Sequence, residues 1–134
     1  MASKALNGLL ERVRRVLPGA SGEERAARYL ESRGLAIVER NYRCRSGEVD
    51  IVAREGGTTV FVEVKERGGQ SHGEGLEAVT FGKRRRIIRA ARLYAASRDL
   101  SEAPLRFDVV SIDWSGAGAP AIRHERDAFD VDGG

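Results

Sequence analysis

The sequence predicts an α/β protein in which a mixed sheet is flanked by helices. Residues 47–67 contain two strand-like runs on either side of Gly56-Gly57, which predicts an antiparallel hairpin. A helical segment separates this hairpin from the apolar run LRFDVVSIDW, and a strand–helix–strand order favours a parallel pair. A helix with its own capping sequence precedes the first strand. Helices and strands that alternate in this way indicate the α/β class.

Each element has a local signal. Ser21 opens the sequence S-G-E-E, a capping box with Glu24, and the helix that follows should end at Gly34. Glycine and polar residues dominate residues 66–80, which predicts a mobile loop. The expected order is a helix at about 22–33, a strand at about 36–44, the hairpin, the loop, a helix at about 81–97, a strand at about 105–113, and PAIRHERDAF as an edge strand or short tail.

Composition limits the class of protein. The 134 residues fit one domain, and 41% apolar with 32% charged residues is ordinary for a soluble globular chain. There is no apolar run long enough to span a membrane, and charged residues interrupt the N-terminal segment, unlike a secretory signal. The single cysteine, Cys44, excludes an intrachain disulfide and a zinc ribbon. We therefore expect a cytoplasmic protein without a membrane partner.

Charge is distributed unevenly along the chain. The first 100 residues hold 20 Lys and Arg against 13 Asp and Glu, whereas residues 101–134 hold 3 against 7. The basic excess therefore lies with the hairpin and the second helix. Such a bias indicates a polyanionic partner such as nucleic acid.

The hairpin carries acids where a buried sheet normally has none. If Gly56 and Gly57 occupy the turn, residues whose numbers sum to 113 face each other. One face is then wholly apolar and should be buried. Its three pairs are Ala53 with Val60, Ile51 with Val62, and Val49 with Val64. On the opposite face Val52 meets Phe61, Asp50 meets Glu63, and Glu48 meets Lys65.

Asp50 and Glu63 are the functionally informative pair. Like charges directly opposite each other destabilise a sheet, and a divalent cation between the two carboxylates would offset the repulsion. Lys65, two residues after Glu63, lies on the same face and could orient water or stabilise charge on a phosphate. Two acids, a metal and a lysine form a plausible site for phosphodiester hydrolysis. The alternative is structural: Lys65 neutralises Glu48 or Glu63, and Asp50 pairs with an arginine.

The longer motifs around this pair resemble a known family. Asp50, twelve intervening residues, and Glu63-Val64-Lys65 resemble the PD-(D/E)xK nuclease signature, with Val49 in place of its proline. GEERAARYL, NYRCRSGEVDIV, FVEVKER, KRRRIIRAARLY and RFDVV resemble the YraN-type bacterial family of uncharacterised proteins. That family is similar to archaeal Holliday-junction resolvases, of the restriction-endonuclease-like fold.

The resemblance covers residues 21–128 and carries several expectations. It implies an αβββαβ core in that domain, with residues 1–20 as a basic N-terminal extension and 129–134 as a C-terminal tail. It implies a Mg²⁺- or Mn²⁺-dependent endonuclease in which Asp50 and Glu63 bind metal and Lys65 is the catalytic lysine. Branched DNA, a junction or a flap, is the expected substrate in recombination or repair. Because resolvases cut two strands symmetrically, a homodimer is also expected.

Nucleases of this kind often add a glutamate from the first helix. Glu23 shares a helical face with Ala27 and Leu30, whereas Glu24 lies on the solvent face and has the capping role. Glu23 is therefore the predicted third metal ligand and catalytic acid. The alternative is that Glu23 only complements the positive end of the helix dipole.

Basic residues are candidates for contacts with DNA phosphates. Lys83, Arg84 and Arg86 crowd the start of the second helix, where cations oppose the helix dipole, and Arg85, Arg89 and Arg92 lie on one face of it. Arg43 and Arg67 could extend this basic surface around the hairpin. A solvated cationic face is the alternative. No base-reading element is evident, so recognition should follow backbone shape and charge.

Two other functions compete with a nuclease. The chain could be a nucleic-acid-binding module on a nuclease scaffold without turnover, or a protein-interaction factor. Elsewhere in the chain, Asp108 is expected to form a buried pair with Arg106 or another arginine, and His124 is expected at the surface.

Overall fold

The computed structural model describes residues 21–68 and 79–134, so residues 1–20 and 69–78 of the predicted extension and loop lie outside it. The elements follow the predicted order closely. They are α1 (Gly22–Ser32), β1 (Ala36–Cys44), β2 (Gly47–Glu55), β3 (Thr58–Arg67), α2 (Phe81–Ser97), β4 (Leu105–Asp113) and β5 (Ala121–Phe129). No helix in the described ranges is long and apolar enough to cross a membrane.

Within the described residues, five strands form one sheet in the order β1-β2-β3-β4-β5. The β1–β2, β2–β3 and β4–β5 pairs are antiparallel, and β3–β4 is parallel. The parallel pair is connected through α2, as a strand–helix–strand crossover requires. A mixed sheet with helices is therefore confirmed, and the αβββαβ order is followed by an additional edge strand.

The core lies on both sides of the sheet. The cluster on the α1 side contains Ala26, Ala27, Leu30, Leu35, Ile51, Ala53, Val60, Val62, Val110 and Ile112. The cluster on the α2 side contains Val49, Val52, Phe61, Val79, Ile87, Ile88, Ala90, Ala91, Tyr94, Phe107, Val109 and Phe129. Each helix contributes one apolar stripe, and the strands contribute alternate residues.

Both helices begin with a side-chain cap. Ser21 Oγ accepts a hydrogen bond from the Glu24 N–H at 3.2 Å, as the capping sequence predicts. Thr80 does the same for the N–H of Lys83 at 3.2 Å. Gly34 ends α1 with a φ of 93°, in the left-handed region that glycine adopts without strain. The cap at Thr80 determines where Lys83 and the basic first turn of α2 are placed.

The hairpin has the predicted register over most of its length. Ile51 pairs with Val62, Val52 with Phe61, and Ala53 with Val60. The ladder ends there, so the predicted cross-strand pairings of Val49 with Val64, of Asp50 with Glu63 and of Glu48 with Lys65 are wrong. Val49 belongs to the cluster on the α2 side, whereas Val64 packs on the α1 side.

A reversal of side-chain direction beside Asp50 explains this difference. In β1, Arg40 approaches Glu23 of α1, but Tyr42 packs edge-on against Tyr94 of α2, with ring centroids 5.2 Å apart. Residues two apart on a regular strand would face the same side. Asn41, between them, has a φ of 54°, in the left-handed region, and this turns the strand over. Asp50 lies at the equivalent point of β2, between the partners of Arg40 and Tyr42.

The acidic side chain in β4 is structural, as expected. Asp108 is fully buried and accepts two hydrogen bonds from Arg106, at 2.8 and 2.9 Å. His124 Nε2 lies 2.7 Å from Asp108 Oδ2, and the His124 side chain is almost completely buried. The expectation of a surface histidine is therefore wrong. The reason is that β5 is a true strand, whose pairing with β4 directs His124 inwards.

Candidate active site

A pocket of about 210 Å³ opens where β2, β3 and the first turns of α2 meet. It is lined by Glu48, Asp50, Glu63, Val64, Lys83, Arg86 and Ile87. The predicted acid pair thus faces a basic helix start, and both lie next to an open volume. Acids and cations that converge on one concave surface are typical of sites for charged substrates.

Asp50 occupies the place where the hairpin ladder stops. Its Oδ2 accepts a hydrogen bond from the N–H of Val64 at 2.8 Å. A side chain therefore satisfies a backbone donor at the point where β2 and β3 separate. Burial raises the pKa of Asp50, against the lowering effect of the Val64 hydrogen bond. The hydrogen bond from Val64 thus orients the Asp50 carboxylate beside the pocket.

Glu63 is the most perturbed acid of the pocket. It is only 5% exposed, and Lys83 Nζ lies 2.7 Å from its Oε1. Burial and the charge of Asp50 raise the pKa of Glu63 to about 7, although Lys83 lowers it. The Glu63 hydrogen bond in turn raises the pKa of Lys83. Glu63 is therefore partly protonated at neutral pH, and Lys83 supplies the adjacent positive charge.

Glu23 approaches Asp50 from α1 but is not among the residues that line the pocket. Its Oε1 lies 3.6 Å from Arg40 Nη2, too far for a hydrogen bond, and accepts none from the described residues. Burial and the charge of Asp50 raise the pKa of Glu23. The third predicted acid is therefore close enough to Asp50 to interact with it electrostatically.

The donor set fits a hard divalent cation. Within residues 21–68 and 79–134, no three His, Cys, Asp or Glu side chains converge as a complete metal cage. Mg²⁺ does not require one, because it binds through one or two carboxylates together with water and substrate phosphate oxygens. Asp50 and Glu63 supply two carboxylates beside an open pocket. The buried Glu23 Oε1 is a further acceptor without a hydrogen-bond donor in the described chain.

Comparison with known proteins identifies the family. The model of the uncharacterised protein family UPF0102 matches residues 22–112. The chain belongs to the UPF0102 family. A Nocardia farcinica UPF0102 protein is 50% identical over 83% of this chain and 87% of its own length. A Geotalea uraniireducens UPF0102 protein is 49% identical over 84% of this chain and 89% of its own length. The YraN-type assignment from the sequence motifs is thereby confirmed.

One solved structure is also similar to this UPF0102 chain. It is described as the structure of Pyrococcus furiosus SfsA in complex with Ca²⁺. The sequence identity is 13% and the TM-score is 0.36, over 77% of this chain. The match spans 60% of the SfsA chain.

The two lysines that the sequence nominated for this site, Lys65 and Lys83, differ in their position relative to the pocket. Lys65 follows Glu63 on β3 but does not line the pocket, whereas Lys83 lines it and contacts Glu63. The sequence predicted Lys83 as a phosphate-binding residue but gave no indication that it pairs with Glu63. The missing information was the packing of α2 against β2 and β3, which no local pattern in the sequence contains.

The predicted basic residues divide into groups. Arg86 lines the acidic pocket, whereas Arg85 and Arg89 line a second groove. Arg43 is exposed and lies 3.3 Å from Glu48. Arg67 ends β3, where its carbonyl accepts the N–H of Trp114. The structure therefore concentrates the basic residues on α2, with Arg43 and Arg67 on the hairpin.

Two pocket features of the UPF0102 chain were missed. Glu48 lines the pocket and was considered only as a partner for Lys65; its position two residues before Asp50 was the available signal. Gly47 allows α2 to approach β2, because a Cβ there would lie 2.4 Å from the carbonyl oxygen of Arg86. A larger residue at position 47 would push the helix away from the acids.

The raised pKa of Glu63 leads to a prediction about stability. Because this pKa rises from 4.5 to about 7 on folding, the folded state binds more protons between these values. Stability should therefore be complete below pH 4.5 and fall as the pH rises through 7. Glu63→Gln should leave stability unchanged at about pH 5 and raise it by on the order of 2 kcal/mol at about pH 8.

Urea unfolding at both pH values in EDTA measures this difference. Glu48→Gln is the matched control, because Glu48 lines the same pocket but is exposed. It should change stability little at either pH. Equal destabilisation by Glu63→Gln at both pH values would contradict the prediction, since it would mean that the ionised Glu63 stabilises the fold.

Proposed function

We propose that this UPF0102 protein is a Mg²⁺- or Mn²⁺-dependent endonuclease that hydrolyses phosphodiester bonds in branched DNA. Recombination or repair in the cytoplasm is the proposed setting. The observation that carries the proposal is the Asp50–Glu63 pair, which lies beside an open pocket with Lys83 and Arg86. Burial and the charge of Asp50 raise the pKa of Glu63 to about 7, and strongly perturbed carboxyl groups beside a cleft are typical of functional sites.

The residues have separable roles in this proposal. Asp50, oriented by the Val64 N–H, and Glu63 would hold the cation, with Glu23 as a further acidic ligand or base. When bound, the divalent ion supplies positive charge that stabilises the phosphate in the transition state. Glu63 must lose its proton for that binding, which makes affinity rise with pH up to about 7.

A lysine completes the proposed site. Lys83 Nζ lies 2.7 Å from Glu63 Oε1, and the same ammonium group would contact a substrate phosphate. Lys65 has the motif position, two residues after Glu63. In either case the ammonium group would stabilise negative charge that develops on the phosphate. Arg86, also on the pocket wall, would contribute to positioning of the DNA backbone.

A binding module without turnover is the second candidate. The observation that favours it is the Lys83–Glu63 ion pair, which places a protein cation on one of the two proposed metal ligands. Such a site would bind DNA through α2 without cleavage. A protein-interaction factor is the third candidate, and weak dependence of binding on salt would distinguish it from nucleic-acid binding.

The function is tested by incubation of the purified protein with a four-way junction, a flap and a linear duplex. We expect cleavage of a branched substrate in Mg²⁺ or Mn²⁺ and none in EDTA. Lys83→Ala and Lys65→Ala assign the catalytic lysine: loss of its amine should slow cleavage by on the order of 100-fold. Arg123→Ala, an exposed cation on β5, is the control for loss of charge.

Outcomes of this assay separate the candidates. Salt-sensitive binding without cleavage of any substrate would favour the binding module. Absence of both binding and cleavage would reject a role on DNA. Sedimentation with and without junction DNA would test the proposed homodimer.

A further inference from the structure

A second groove, of about 340 Å³, follows the outer surface of α2. It is lined by Phe81, Arg85, Ile88, Arg89, Arg92, Val131 and Asp132. We call it the α2 groove. It shares no lining residue with the acidic pocket. Neither the metal chemistry nor the acid pair therefore accounts for it.

Cations dominate the α2 groove. Arg85, Arg89 and Arg92 are exposed and lie at positions i, i+4 and i+7, so they form a row along one helical face. One acid, Asp132, lies opposite this row. From the rise of 1.5 Å per residue, Arg85 and Arg89 lie about 6 Å apart along the helix axis, and Arg89 and Arg92 about 4.5 Å apart. A row of this kind matches an extended polyanion better than a single compact anion.

Phe81 gives the α2 groove an aromatic surface. It is the first residue of α2 and is 60% exposed, the highest value among the exposed large apolar residues described. Arg85 lies 5.8 Å from its ring centroid. An exposed ring beside a row of arginines has the features of a stacking platform for an unpaired base. Duplex DNA offers no free base face, whereas a single strand does.

The first turns of α2 connect the two surfaces. Lys83, Arg86 and Ile87 face the acidic pocket, whereas Phe81 and Arg85 face the α2 groove. Residues of the same helical turns thus form a wall shared by both. A strand bound along the α2 groove would pass within about one helical turn of Lys83.

We infer that the α2 groove binds a single-stranded segment of DNA, with an unpaired base on Phe81 and the backbone along Arg85, Arg89 and Arg92. The choice of DNA rests on the proposed function. Within that function, the α2 groove would favour substrates with unpaired nucleotides next to the cleavage point, such as flaps, over fully paired duplexes.

Fluorescence anisotropy of the full chain in EDTA tests this inference. The probes are an oligothymidylate of about 12 nucleotides, within the site sizes known for single-strand binding, and a blunt duplex. We expect Phe81→Ala to weaken binding of the single strand about tenfold and to change duplex binding less than about twofold. Leu93→Ala is the matched control, because Leu93 is 45% exposed on α2 outside the groove. Phe81→Trp should restore binding.

The arginine row has a separate readout. Arg89→Ala should reduce the slope of log affinity against log salt by about 0.7 for the single strand, whereas Arg123→Ala should not. Absence of single-strand binding, or equal losses from Phe81→Ala and Leu93→Ala, would overturn the inference. Because the measurement needs no metal, it does not depend on cleavage. Single-strand binding without any cleavage would reject the proposed nuclease activity and support the α2 groove as a binding site. Cleavage without single-strand binding in the groove would support the nuclease activity and reject the groove as a binding site.

Discussion

Asp50→Asn is expected to reduce metal-dependent cleavage by at least about 100-fold while DNA binding changes by less than about twofold. The substitution removes the negative charge of one proposed metal ligand and retains the shape of the side chain. Its amide oxygen can still accept the Val64 N–H that Asp50 Oδ2 accepts at 2.8 Å. Cleavage of a flap and anisotropy with the same flap measure the two quantities.

The choice of asparagine separates chemistry from folding. Asp50→Ala would leave the part-buried Val64 N–H without its acceptor, at a cost of about 1–3 kcal/mol. Loss of activity in the alanine variant could therefore reflect a loosened hairpin. Equal activity of Asp50→Asn and the parent protein would contradict the assignment of Asp50 as a metal ligand.

Arg106→Leu is expected to lower the free energy of unfolding by about 3–5 kcal/mol, the largest stability effect we predict. The substitution removes both Arg106 hydrogen bonds to the fully buried Asp108, at 2.8 and 2.9 Å. It also removes the 2.7 Å contact with Glu55. The midpoint of thermal unfolding should fall by on the order of 10 °C.

The pH dependence identifies the cause of this loss. Although burial opposes it, the hydrogen bonds from Arg106 hold the pKa of Asp108 below 3.8. In the parent protein this stabilisation is present above pH 3.8 and is lost as the pH falls through the folded value. The penalty of Arg106→Leu should therefore shrink in acid.

A second substitution supplies the control for Arg106→Leu. The double variant Arg106→Leu/Asp108→Leu removes the uncompensated charge and should recover part of the lost stability. Arg126→Leu is the exposed comparison, because Arg126 also pairs with Glu55 but does not contact Asp108. It should cost less than about 1 kcal/mol. Equal losses from Arg106→Leu and Arg126→Leu would refute the buried-pair explanation.

Local signals were sufficient for most of the fold. The ends of α2 agree with the prediction because Thr80 caps its start and Asp99, with a positive φ, follows its end. The start of β4 agrees because Pro104 directly precedes it. The Gly56-Gly57 turn determined the hairpin register from Ala53 to Ile51. Such features depend on residues close in sequence, which a single chain displays directly.

The site was only partly predictable because its geometry depends on contacts between distant segments. The sequence located Asp50, Glu63 and Glu23, since acids within apolar runs stand out. It did not reveal that the positive φ of Asn41 reverses the side of the sheet that the side chains face beside Asp50, because asparagine in a strand is compatible with regular geometry. It also did not reveal that α2 brings Lys83 to Glu63, 20 positions later in the chain. Packing decides both points.

The bond from the Val64 N–H to Asp50 has an evolutionary consequence. The same carboxylate that we assign to the reaction also closes a gap in the backbone pairing of the hairpin. If the proposed reaction were lost in some relatives, selection would still favour an acceptor of this size at position 50. Asparagine would be the tolerated replacement there, and loss of the charge without loss of the side chain's size would mark those relatives as inactive.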